Sequence, residues 1–337
     1  MHSISLIRNG SADSAFELRE IAVPQIQDGE VLVKVEGFGL NYADVLARKG
    51  LYPDCPPLPA VLGYEAVGHI VQYNGSLDLK EGDRVLAFTR FGAYSEYAIT
   101  DERAVIKIDD DLGIGEACAL VTQYCTAYFS MNVATNAFPG EKVLVHSAAG
   151  GVGTAFCQLA KIKGLEVYGT VGSDEKLSYL KEQGVHQGIN YRKNNFYEVL
   201  KSQNLRMDLV FDPVGGKVFK QSLKLLNYGG RIVTFGAASR SKGNLFTGLE
   251  LLFGFGFYSP LKFLMKSQSM LGVNMLRIGD HKPELLANCL SEVVKLTREG
   301  KLNPQVDQLF SYKNIAQAHA HLESRNSKGK IAVSWND

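Results

Sequence analysis

Apolar and polar positions alternate in short runs through the first hundred residues, and Gly and Pro break the runs often. Residues 29–34 begin an alternating strand and residues 66–72 form another. Lys80-Glu-Gly-Asp-Arg-Val85 reads as a polar turn entering a third strand, and Cys55-Pro-Pro-Leu-Pro59 as a rigid loop. This texture predicts a small, irregular barrel. Near residue 115 the period changes. Residues 115–131 can form a helix, and strand and helix patterns then alternate. Residues 142–146 are a short, nearly continuous apolar run, as expected of a parallel strand covered on both faces. Val152, Phe156, Leu159 and Lys163 follow at helical spacing, with Gly164 placed to end that helix. Further strands are predicted at 165–170, 207–211, 231–235 and 270–274. The chain ends with helices over 283–300 and 314–323 and a strand at 330–335. Alternation of this kind specifies βαβ units around a parallel sheet. The pattern predicts an α/β protein, β-rich in its first third and built on a parallel sheet beyond residue 115.

Composition narrows the classes of function. The chain has 337 residues, 45% hydrophobic and 21% charged, enough to bury a core without disulfides or structural metals. Its 36 basic and 35 acidic residues leave a formal charge of +1, which argues against a nucleic-acid partner. The five cysteines are scattered and form no C-x-x-C pair, so neither a disulfide framework nor a zinc knuckle is expected. A reducing cytoplasm fits them best, and the first residues carry no signal-peptide pattern. The segment 245–265 is rich in Phe, Leu and Gly, but Glu250, Pro260 and Lys262 argue against a membrane span. It reads as an amphipathic helix pair at an interface, or as a lid or peripheral lipid contact.

The strongest chemical signal is Ser147-Ala-Ala-Gly-Gly-Val-Gly153, placed between a predicted strand and a predicted helix. Gly150 and Gly153 fill the second and third positions of the dinucleotide fingerprint, while Ala148 replaces the first glycine. In that setting backbone N–H groups of Gly150, Gly151, Val152 and Gly153 face a pyrophosphate at a helix N-terminus. At the end of the second strand, where an NAD site carries an acid for the ribose hydroxyls, stand Gly172 and Ser173, followed by Lys176. A small polar residue with a nearby cation suits the 2′-phosphate of NADPH. Lys176 can alternatively be a solvent-facing helix residue. Asp174 is expected to cap the next helix.

Together these segments resemble the zinc-independent quinone oxidoreductases of the medium-chain dehydrogenase/reductase superfamily, in their VAT-1-like branch. The residues that carry the resemblance are Gly39-Leu-Asn-Tyr-Ala-Asp44, Arg48-Lys-Gly-Leu-Tyr52, Leu58-Pro59, Thr126-Ala-Tyr128, the glycine loop, Ile189-Asn-Tyr191 and Asp212-Pro-Val-Gly-Gly216. The resemblance implies a GroES-like β-barrel domain at 1–125, a Rossmann domain at 126–268, a return segment, 269–337, that completes the sheet and the first domain, and a homodimer. It implies zinc-free reduction of a quinone or enone by hydride from NADPH. Where zinc-bearing relatives place ligands, this chain has Asn41, Tyr64 and Thr122, so no metal is expected.

The resemblance also assigns individual positions. Ser173, Lys176 and Tyr191 would surround the 2′-phosphate, and Phe235 and Gly236 would back the cofactor. Asn274 would border the nicotinamide, and Arg325 would reach the cofactor from the C-terminal segment or else be a surface arginine. Asn41, Tyr52 and Thr126 would line the nicotinamide side. Tyr52 and Asn41 are the candidate catalytic groups, though Asn41 can equally hold a loop and Tyr52 simply wall a cleft. Two other readings stand beside this one: reduction of enoyl thioesters, and a nucleotide-binding, lipid-associated protein with little reductase activity.

Overall fold

The computed structural model describes residues 1–238 and 254–336. The chain forms two compact units, one of Met1–Cys125 with Met275–Asp337 and one of Thr126–Asn274.

In the first unit the alternating segments pair as a mostly antiparallel seven-stranded sheet. Its long strand, Glu30–Leu40, pairs with Glu65–Asn74 on one side and with Lys330–Ser334 on the other. Two register shifts against Glu65–Asn74 bend it, as bulges do in small barrels. The core lies between this sheet and the helix Ile315–Ser324, and Phe38, Leu40, Leu62, Tyr94, Ile331 and Val333 fill it. The C-terminal strand thus lies in the same sheet as strands from the first hundred residues.

The second unit holds a six-stranded parallel sheet. Its spatial order is Gln187–Asn190, Glu166–Val171, Lys142–Val145, Met207–Asp212, Leu226–Thr234, Ser269–Gly272. The chain enters in the middle, winds to one edge, then returns to build the other half. That reversal puts a crevice beyond the C-terminal end of Lys142–Val145, where doubly wound sheets bind nucleotides. Apolar side chains from both faces explain why these strands read as continuous runs. Phe156 stacks on Phe211 with ring centroids 3.9 Å apart. The helix Gly151–Lys163 begins directly after the glycine loop and stops at Gly164, whose φ of 69° is the left-handed cap conformation. Lys161 and Lys163 sit at its negative end, which leaves the positive end to the loop.

Two expectations change. Residues 114–134 are helical, but in alternating α and π turns, Ile114–Ala119, Leu120–Tyr124, Cys125–Tyr128 and Phe129–Ala134. Such π turns widen a helix and accompany functional sites in many proteins. Of the segment 245–265, residues 245–253 lie outside the described residues. The remainder contains a short helix, Pro260–Leu264, and exposes Phe257, Leu261, Leu264 and Met265. Among the described residues no helix is long and apolar enough to cross a membrane.

Candidate functional site

The glycine loop is built by the residues beneath it. His146, at the end of its strand, is buried and lies 3.1 Å from Thr170 Oγ1 and 2.8 Å from Ser222 Oγ. Burial pulls its imidazole down to about 3, so the ring is neutral and serves as a hydrogen-bonding strut. Thr170 Oγ1 also accepts from the Ser147 amide, and Ala148 N donates to Thr170 O at 3.0 Å. The turn is thereby tied to the second strand. Ala148 is fully buried. It stands in for the first glycine because Gly169 faces it: a Cβ at Gly169 would come within 2.9 Å of the Ala148 methyl.

Gly153 is where the helix meets the loop. A Cβ there would lie 2.3 Å from Ser147 O and 2.7 Å from Ala148 Cα, both backbone atoms. Only glycine lets the helix start this close to the strand. Gly150, the N-cap, faces Ser147 O at 3.3 Å and is otherwise open. The first N–H groups of the helix have no partner within it. Gly151, Val152 and Gly153 therefore offer their amides to a diphosphate, while the Gly150 amide donates to Ser147 O at 2.9 Å and its missing side chain leaves the approach to this cradle open.

The end of the second strand forms a corner with the strand beside it. Tyr191 N donates to Val171 O at 2.9 Å, which brings the tyrosine over Gly172. A Cβ on Gly172 would meet Tyr191 Oη at 2.8 Å. Ser173 is half-buried and Lys176 is only 9% exposed, so Lys176 is not a solvent-facing helix residue. Asp174 occupies the N-cap position of Glu175–Glu182, but its side chain does not cap the helix. It accepts from Asn190 Nδ2 at 2.7 Å and pairs with Lys193. The cross-strand partners outcompete the helix because they add a charge-assisted bond.

Two more positions lie at the neighbouring strand ends. Phe235 N donates to Asp212 O at 3.2 Å, and its ring packs 5.4 Å from Phe156. Gly236 passes close to Pro213, whose carbonyl oxygen would stand 2.9 Å from a Cβ there. Asp212 is buried and its Oδ1 accepts from the amides of Val214 and Gly215, which shapes the Asp212-Pro-Val-Gly-Gly216 turn. Thr126 is buried, and its carbonyl accepts from Ser130 Oγ. Asn274 is exposed, just past the last strand of the sheet.

In the other unit, Asn41 ends the strand Glu30–Leu40 and starts the helix Tyr42–Arg48. It is buried, and its side chain is committed: Nδ2 donates to Glu65 Oε1 at 2.9 Å and Oδ1 accepts from Lys330 Nζ at 3.3 Å. Lys330 also donates to Leu40 O at 3.1 Å and pairs with Glu65, and both charged residues are wholly buried. Glu65 Oε2 accepts from the amide of Thr122 at 2.9 Å. Sequence reasoning misses this cluster, although a lysine opening an apolar terminal strand hints at it. Its cation stands between Asn41 and Glu65. Among the described residues no group of three or more His, Cys, Asp or Glu could hold a metal.

Tyr52 is half-buried and meets Tyr64 edge-on at 6.1 Å between ring centroids. Burial, with the charges of Asp54 and Asp44, holds its phenol above the usual value against the opposing pull of Tyr64 and Arg277. Asp44 is itself raised to about 7, chiefly by burial. Its Oδ2 accepts from the Asn41 amide at 2.7 Å. Arg325, at the end of Ile315–Ser324, lies over the Tyr42 ring at 5.8 Å and is exposed. Asn41 and Tyr52 are thus linked within one unit through Asp44, while the glycine loop, Ser173, Lys176, Tyr191 and Phe235 gather in the other.

Comparison with known proteins agrees with this geometry. Residues 27–110 match the family described as alcohol dehydrogenase GroES-like domain, and residues 151–291 the one described as zinc-binding dehydrogenase. The human synaptic vesicle membrane protein VAT-1 homolog is 31% identical over 321 residues, 94% of this chain and 81% of that protein. The Danio rerio homolog is 32% identical over 92% of this chain, which spans 65% of its length. A crystal structure of Escherichia coli quinone oxidoreductase complexed with NADPH superposes with a TM-score of 0.86 at 28% identity, covering 99% of this chain and all of that one (100%). The chain belongs to the medium-chain dehydrogenase/reductase superfamily, among the quinone oxidoreductases and VAT-1 homologues.

Proposed function

We propose that this protein is an NADPH-dependent oxidoreductase that reduces quinones or α,β-unsaturated carbonyl compounds without a metal. The observation that carries the reading is the strand-end corner beside the glycine loop. It offers hydroxyls and cations, and its nearer acid, Asp174, is tied up in an ion pair. Gly150, Gly151, Val152 and Gly153 would hold the diphosphate, and Ser173, Lys176 and Tyr191 the 2′-phosphate. Phe235 and Gly236 would back the cofactor, with Asn274, Thr126 and Arg325 beside it.

NADPH, when bound, supplies the hydride. The chain's own contribution is orientation and a proton. Tyr52 keeps its proton at Oη at neutral pH, because burial and two nearby acids oppose its loss. It is the candidate donor to the reduced substrate. Asn41 is a positioning residue in this reading, since its amide is already bonded at both ends. Metal-free chemistry is supported by the residues at the zinc positions. Asn41, Tyr64 and Thr122 are poor zinc ligands, and the Lys330 ammonium would repel a dication beside Asn41. Conjugated carbonyls need less polarisation than simple ones, which suits such a site.

A homodimer through the edge strand Ser269–Gly272 fits this reading, since Met270 on that strand is 51% exposed. Peripheral lipid contact is the second reading. The exposure of Phe257, Leu261, Leu264 and Met265 favours an apolar partner surface of one kind or the other.

Steady-state kinetics with NADPH and a panel of quinones and enals test the activity. Turnover of at least one class supports it, and inactivity across the panel refutes it. Tyr52→Phe should lower kcat by about tenfold or less, below the usual range of general-acid effects, because water can replace the phenol. Lys176→Ala should raise the KM for NADPH by about tenfold, the worth of one charge-assisted bond, and leave that for NADH unchanged. An unchanged NADPH KM would remove Lys176 from the 2′-phosphate site.

A further inference from the structure

The turn after Gln187–Asn190 has features that the assigned residues leave unexplained. Asn190 is buried at the end of its strand and paired with Val171. Its side chain works in two directions: Oδ1 accepts from the Arg192 amide at 3.0 Å, and Nδ2 donates to Asp174 at 2.7 Å. Its carbonyl accepts from Lys193 N at 3.2 Å and Asn194 N at 2.9 Å. One amide thus fixes the turn and the acid just beyond the neighbouring strand together.

The turn presents two cations with different surroundings. Lys193 pairs with Asp174, and that bond is the main reason the carboxyl is held below its usual range. Arg192 makes no side-chain hydrogen bond or ion pair among the described residues. Its Nε lies 3.6 Å from where a Cβ on Gly172 would be, beside Tyr191 Oη at 2.8 Å from the same point. The bare backbone of Gly172 therefore lies under a phenol and a guanidinium. Asp174, two residues further on, is the kind of acid that would favour a free ribose 2′-hydroxyl and repel a phosphate.

We propose that the turn from Asn190 to Lys193 sets cofactor preference: Arg192 is a further ligand of the 2′-phosphate, and Lys193 neutralises Asp174 so that the phosphate is admitted. The proposal rests on the NADPH reading above and adds the residues that create the preference. Arg192 suits the task because a guanidinium forms two parallel bonds to phosphate oxygens. Lys193 acts at one remove, through the charge it cancels. Because the pair is exposed, salt screens its field beyond the immediate contact, so its effect falls on a group bound against it.

Equilibrium titrations of the full chain with NADPH and with NADH, followed by nicotinamide fluorescence at low salt, test both roles. Arg192→Gln should weaken NADPH binding by about tenfold, one charge-assisted contact, and leave NADH unchanged. Lys193→Met should weaken NADPH by a smaller factor and leave NADH unchanged or tighter. Asp174→Asn added to Lys193→Met should restore NADPH affinity, which separates cancelled charge from damaged fold. Equal losses for both cofactors, or an intact NADPH preference in both single variants, would overturn the proposal. A wild-type protein with no preference between the cofactors would remove the NADPH reading itself, and this proposal with it.

Discussion

Gly153→Ala is expected to abolish measurable nicotinamide-cofactor binding and to destabilise the nucleotide-binding unit by about 1–3 kcal/mol, the usual cost of overpacking. The added methyl would sit 2.3 Å from Ser147 O and 2.7 Å from Ala148 Cα. Neither atom belongs to a side chain that can rotate away, so the helix or the loop must move. Movement of either displaces the N–H groups of the first turn relative to the strand end. On the proposed function those groups would hold a diphosphate only as a set, so a small shift should remove most of the affinity. Gly272→Ala is the control. It adds the same methyl where nothing lies within 4 Å, and it should leave binding unchanged. Cofactor titration with a thermal melt of each variant checks both parts. Normal binding by Gly153→Ala would show that the loop does not hold the ligand.

The position of this loop is legible in the amino-acid sequence. Lys142-Val-Leu-Val-His146 carries the signal of a covered parallel strand, and the glycines follow at once. Gly164 marks the helix end for a local reason, its left-handed conformation. Asp174 shows where local reading stops. Its place before a helix suggests a cap, yet Asn190 and Lys193 arrive from the next strand and take its carboxylate. No local pattern announces a partner sixteen residues away. The same holds for Lys330 and Glu65, which are adjacent only because the terminal strand pairs with Glu30–Leu40. Asn41 is legible as a non-ligand, but its bonds to both members of that pair depend on the sheet register.

Lys330→Met should cost about 3–5 kcal/mol of stability, because it leaves the Glu65 carboxylate buried without its counter-charge. Both residues are fully buried, so water cannot substitute for the ammonium. The loss also frees Asn41 Oδ1 and Leu40 O, each of which accepts from Nζ. Glu65→Gln combined with Lys330→Met should recover part of the loss, since the uncompensated charge is then gone. Full recovery is not expected, because Glu65 also accepts from Asn41 and from the Thr122 amide. Arg19→Met, which breaks the exposed pair with Glu17, should cost less than about 1 kcal/mol. Urea unfolding of the three variants measures the differences. Equal costs for Lys330→Met and Arg19→Met would show that the buried pair is not what holds this strand end.

Both results bear on how the two units divide the work. In one, a buried cation and two acids hold Asn41. In the other, a strand end and a turn bring Lys193 against Asp174. On the proposed function, variants of the first cluster should change kcat and variants of the second the cofactor KM.

The most direct measurement is a fluorescence titration of the wild-type protein with NADPH and with NADH under the same conditions. The account predicts saturable binding of both, with NADPH tighter by at least about tenfold, the worth of one charge-assisted contact to the 2′-phosphate. Absence of binding by either cofactor, or tighter binding of NADH, would contradict it.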